Sequence, residues 1–429
     1  MFYILDFFSF LFGAIFSIWW IILPIMLAWF IWEKNLTTVR MNFLGKLEWV
    51  YMEIHIPPNV TRTPKAMEEV FNALHGVHRK GNKYMRYVGG FIPPYYVFEL
   101  IGNNGKLRFV IRCLKEHKEL VKTRIYSQYP EAKVEEIEDP LKDLPEKVPE
   151  STYNIFGTEL GLIKDSAYPI RTYEVWEKLP EEQRIDPISA LSEGASQLGE
   201  DEWVIIQIFG MPVWLTSKAW GDEWGIKGRK IVDKLAGRKE EEKERNPFEI
   251  IGEFIVNLIL APFRTPQWKE IKKEERQYPT QMQFLTPGEK EVLEAVEKKL
   301  SKPGFWGCAR FAYIARKGIF REKMPQNVGL LFGYMKIFSA PHMNSLVRIA
   351  DSLTSVDFPG HFIKERTFFR KRFLYSYIRG RWRSNFKFHV LTSDEMATLF
   401  HIPVEVVPAP GVERRVVIEK APSADIPTL

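Results

Sequence analysis

Cysteine is scarce: Cys113 and Cys308 are the only two in 429 residues. Two thiols build neither a disulfide framework nor a cysteine-only zinc site. A phosphate-cradling glycine loop is also missing. The nearest approach, Gly102-Asn103-Asn104-Gly105-Lys106, places its first glycine too close and runs on into Leu107, so it reads as a hairpin turn. No G-x-S-x-G occurs. His75 and His78 stand three apart with no third ligand at motif spacing, which favours capping or a surface role over a metal pair. Cys113, with His117 four residues on, reads as a buried structural cysteine rather than a nucleophile beside its base. Asp351, Asp357, Asp394 and Glu395 are scattered, with no paired-carboxylate geometry. The expectation is no enzyme, no metal and no cofactor. Ordinary Gly and Pro counts, 27 and 28, exclude collagen-like and low-complexity classes.

What is present is a globular composition, 45% apolar and 27% charged, long enough for about two to three domains. The net charge of +6 is mild. Residues 7–32 carry no charge and are rich in Phe, Ile, Leu and Trp. About 20 helical residues span a bilayer core, so residues 1–33 are expected to form a transmembrane anchor. Asp6 and the bulky residues running up to Glu33 argue against a cleaved signal peptide. Lys34, Arg40 and Lys46 follow, which predicts a single pass in the cell membrane, N-terminus outside and the bulk cytoplasmic.

Residues 47–56 alternate as a half-buried strand, and Thr63-Pro64 opens a helix with Met67, Val70, Phe71 and Leu74 as its stripe. Residues 95–100 and 107–114 form a hairpin, 115–129 a second helix and 132–138 a last strand. The order strand, helix, strand, strand, helix, strand is the ferredoxin-like split βαβ unit, assigned to residues 34–139. A linker follows over 140–150. A second α+β unit is expected over 151–217 and 282–345. It contains a helix behind Asp186-Pro187, a strand over 203–213, a helix with a capping box of Thr286 and Glu289, and a strand over 309–315. The fold class is therefore α+β, with an N-terminal transmembrane helix and two ferredoxin-like units. The second unit is interrupted by an insertion, 218–281, whose apolar stretch 248–263 suits an amphipathic helix.

Residues 346–429 form a basic and aromatic C-terminal region. Within 361–389 lie Lys364, Arg366, Arg370, Lys371, Arg372, Arg379, Arg381 and Arg383, interleaved with Phe, Tyr and Trp. Cations among aromatics suit single-stranded nucleic acid or anionic lipid. They equally suit an amphipathic element with rings inward and arginines toward an acidic partner.

Three segments carry a family resemblance: residues 66–79 with Gly89-Gly90, residues 124–139, and residues 391–403 with Ala409-Pro410 and Lys420-Ala421-Pro422. Together they resemble an uncharacterised membrane-anchored family of candidate-phylum bacteria. There the same region often precedes a type IV secretion or conjugative coupling ATPase of the FtsK/HerA kind. The phrase Phe400-His401-Ile402-Pro403 is its most specific part. The resemblance implies a non-catalytic component of a translocation system; the resembling fusions continue into the ATPase where this chain stops at Leu429, so either a separate P-loop ATPase acts with it or the gene lacks one, and the first is the expectation. The membrane and that ATPase are the expected partners, with a homo-oligomer and DNA left open.

Overall fold

A computed structural model describes residues 2–56, 62–180, 186–216, 223–236, 285–355, 362–381 and 388–403; side chains before Leu23 are described only at Trp20. The apolar stretch 248–263, Arg383 and the tail beyond residue 403 lie outside the described residues.

Among the described residues nine strands make one antiparallel sheet. They are β1 Trp49–His55, β2 Tyr96–Asn103, β3 Lys106–Leu114, β4 Lys133–Ile137, β5 Tyr153–Leu162, β6 Glu202–Val213, β7 Gly304–Arg316, β8 Leu346–Arg348 and β9 His389–Thr392. Their order is β4-β1-β3-β2-β6-β7-β5-β8, and β9 pairs with β7. The helices are α1 Phe2–Gly45, α2 Pro64–His75, α3 Lys83–Tyr87, α4 Lys118–Gln128, α5 Glu174–Glu177, α6 Pro187–Ser196, α7 Trp224–Leu235, α8 Pro287–Leu300, α9 Lys317–Ile337, α10 Ile363–Gly380 and α11 Ser393–Leu399.

Local chemistry explains several of these elements. The β2–β3 turn places Asn104 at φ 47° and Gly105 at φ 72°. Two successive left-handed residues match the right-handed twist of the strands they join. Helix α6 starts where Asp186 accepts from the Ile188 amide at 2.8 Å, with Pro187 just inside. Thr286 and Glu289 close a reciprocal capping box at the start of α8.

Two expectations are corrected. The fold is a mixed α/β arrangement on one continuous sheet, not two ferredoxin-like units. Strand β2 pairs with β6 from Tyr96↔Gly210 to Asn103↔Trp203, so neither presents an edge. Alternation fixes which face a side chain takes, not which strand lies alongside. All twelve residues of β6 are buried, as befits a central strand covered on both faces. One face packs α2, α4, α6, α9 and α11 in a large core. The other packs Leu374, Tyr375 and Ile378 of α10 onto Ile101, Ile155, Ile205 and Ile314, with Leu141, Leu144 and Val148 filling in.

The second correction concerns the membrane. Among the described residues no helix is long and apolar enough to cross one. The transmembrane anchor and the single-pass topology are withdrawn with it.

Candidate interaction surface on helix α10

Helix α10 carries most of the basic residues singled out from the sequence, and the structure divides them. Four hold the helix down. Arg370 donates from Nη1 to the carbonyls of Ala350 and Leu353, at 3.2 and 3.3 Å. Lys371 donates to Asn154 Oδ1 at 2.9 Å, and burial lowers its pKa. Arg379 donates to the Pro145 carbonyl at 2.7 Å. Arg381 is the deepest, 1% exposed. The others point outward: Lys364 and Arg366 are exposed, and half-buried Arg372 lies 5.8 Å from the Phe368 ring centroid.

Arg381 caps α10 in the left-handed conformation, φ 48°. That reversal turns its side chain under the helix. Nε and Nη2 grip both oxygens of Glu99, at 3.0 and 3.2 Å. Nη1 meets Asp139 Oδ2 at 2.7 Å, and the guanidinium covers the Tyr51 ring at 4.6 Å. Burial disfavours the Asp139 carboxylate, but the hydrogen bond and charge of Arg381 outweigh it, and the pKa is lowered. Burial likewise opposes the Arg381 cation, yet Glu99 and Asp139 raise its pKa further.

Beneath α10 a polar row crosses four strands in register: Glu99, Gln207, Arg310 and Glu159. All four are sealed from solvent. Gln207 Nε2 donates to Glu99 at 2.5 Å and to the Ile378 carbonyl at 2.9 Å. Arg310 lies 3.6 Å from Glu159. Sequence reading missed this row, although Glu99, Gln207 and Arg310 each stand alone in an apolar strand run. Such an isolated polar residue in a buried strand is a signal for a cross-strand partner, because an unpaired buried charge is costly.

A second polar cluster clips the C-terminal helix to the opposite face. Lys299 and Glu395 pair at 2.7 Å in full burial. Lys302 reaches Glu68 at 2.8 Å, Asp394 at 3.1 Å and Glu174 at 3.3 Å, while the Tyr173 hydroxyl donates to Glu68. Asp394 and Glu395, scattered to sequence reading, are thus gathered with carboxylates from α2 and α5. Burial opposes the Lys302 cation, but Asp394 and Glu68 more than offset it and raise its pKa. An amine held so firmly as a cation anchors rather than abstracts protons.

The remaining candidates face inward. His75 and His78 turn ring nitrogens to the carbonyls of Val213 and Pro212, at 3.1 and 2.8 Å, and flank Trp214 edge-on. Burial pushes the fully enclosed Cys113 thiol up to about 12, so it is protonated at neutral pH. Among the described residues, no group of three or more His, Cys, Asp and Glu could hold a metal ion.

Residues 45–328 match a family model described as a domain of unknown function (DUF8128), about two thirds of the chain. The chain belongs to this DUF8128 family. The matched segment carries most of the sheet and ends within α9, so α10, β9 and α11 lie beyond it. No curated protein matches the chain.

Proposed function

We propose that this chain is a non-catalytic docking component of a type IV secretion-like or conjugative translocation system, working with a separate P-loop ATPase. One observation carries the docking role. Helix α10 is fixed to a rigid sheet by its inner face and ends, while its outer face presents Phe369 and Arg366 to solvent. A pre-positioned surface loses little entropy when a partner arrives. The choice of partner rests on the resemblance carried by residues 66–79, 124–139 and 391–403. Native purification of the full chain, followed by mass spectrometry, tests it. The expected result is a co-purifying P-loop ATPase that is lost with Phe369→Ser; recovery without any ATPase overturns the reading.

A second reading takes single-stranded nucleic acid on the same helix. What favours it is the adjacency of exposed rings with Lys364 and Arg366. Binding would weaken steeply with salt and vanish on reversing Lys364, Arg366 and Arg372.

A further inference from the structure

We infer that the outer ridge of α10 receives an acidic amphipathic helix of a partner protein. The inference rests on the reading of α10 as the docking face and names the chemistry of what docks there.

The ridge follows from helical geometry. Leu374, Tyr375 and Ile378 are buried against the sheet. At about 100° per residue, the opposite side carries Arg366, Phe369, Phe373 and Ser376, and Phe362 stands just before the first turn. Phe362 is 72% exposed, Phe369 68% and Phe373 40%. Steps of four and three residues are those by which one helix seats side chains between the turns of another. Beside Phe369 and Phe373 runs a groove of about 470 Å³, bounded by Asp351, Ser352, Arg370, Arg372 and Ser376. It has room for one or two aliphatic side chains of a visiting helix.

Charge selects the visitor. Arg366 lies within the ridge and Arg372 flanks it, against Glu365, the single acid on α10, and Asp351 at the groove's edge. A partner with an apolar stripe and carboxylates on both shoulders matches this pattern. A second copy of the same basic ridge would repel it. Nucleic acid is less well served, because Arg370, Lys371, Arg379 and Arg381 are engaged within the protein. Among the described residues of α10 that leaves Lys364, Arg366 and Arg372 for phosphates, whereas the rings offer a contiguous apolar surface.

The test uses the full chain and three fluorescent probes: a leucine-striped helical peptide flanked by glutamates, the same peptide flanked by lysines, and a twenty-nucleotide oligo-dT. The expected result is at least tenfold tighter anisotropy binding of the glutamate peptide than of the lysine peptide. Phe369→Ser should weaken it by a similar factor, and Arg366→Glu with Arg372→Glu should invert the preference. Circular dichroism of each variant confirms that the fold is kept. Equal binding of the two peptides, or indifference to Phe369→Ser, overturns the inference. Oligonucleotide binding that displaces the peptides and needs Phe369 overturns the acidic helix but leaves α10 as the docking face. Failure of all three probes, with ATPase recovery unchanged by Phe369→Ser, overturns both.

Discussion

Lys299 and Glu395 face each other at 2.7 Å with neither side chain open to solvent. One comes from the end of α8, the other from α11, and between them they fix the C-terminal helix to the body of the protein. Burial raises the Glu395 pKa, and Lys299 opposes that rise. Removing one partner strands the other's charge. Lys299→Met is expected to cost about 3–5 kcal/mol, and adding Glu395→Gln should restore much of it, since the loss is chiefly the uncompensated carboxylate. Urea denaturation of the two variants and the double variant measures both numbers.

Arg381→Gln should release α10 from the sheet. Glu99 is wholly buried and would lose its cation, a loss of about 3–5 kcal/mol. Hydrogen exchange should rise over residues 363–380 while α2 and α4, on the opposite face, stay protected.

Asp139 gives the same attachment a pH dependence. Its folded pKa is lowered despite burial, because Arg381 stabilises the carboxylate. The unfolded chain therefore binds the proton more readily. The contribution is complete above the ordinary carboxyl value near about 4 and is lost as pH falls through the lower folded value. Asp139→Asn should flatten the acid limb of α10 protection against exchange.

His75 has the opposite chemistry but the same sign. Burial lowers its pKa, partly offset by the carbonyls of Val213 and Gly304, with His78 lowering it further. The unfolded chain takes up its proton first, so stability falls as pH drops below about 6.5. Melting temperatures from pH 8 to pH 5 should show that decline, and His75→Gln should reduce its slope.

Cys113 should resist alkylation. Its thiol is enclosed and pushed up to about 12. Iodoacetamide at pH 8 should label it in urea and leave it unmodified in the native protein. Native labelling faster than global unfolding would contradict its placement in β3.

Some of this molecule was legible in the sequence for local reasons. The turn at Asn104-Gly105, the Asp186 cap and the Thr286–Glu289 box depend on residues within three positions of each other. Pairing between β2 and β6 links residues about a hundred positions apart, and alternation cannot select it. The basic stretch was legible as composition but not as two populations. Arg379 reaches the loop at Pro145 and Arg381 is buried because the chain reverses in the left-handed conformation after Gly380. Lys364 and Arg366, on the first turn of α10, stay outside. The same count of cations therefore conceals both a latch and a surface.

The clip around Lys302 joins Glu68 to Asp394, and Ser393 donates to Glu68 across 325 positions of chain. During synthesis at about 5–20 residues per second, α2 emerges roughly 16–65 s before α11. Through that interval Met67, Phe71 and Leu74 lack the helix that finally covers them. A nascent chain of this kind keeps that apolar face uncovered until α11 arrives. One halted before residue 393 keeps Glu68, Lys299 and Lys302 without their counterparts on α11.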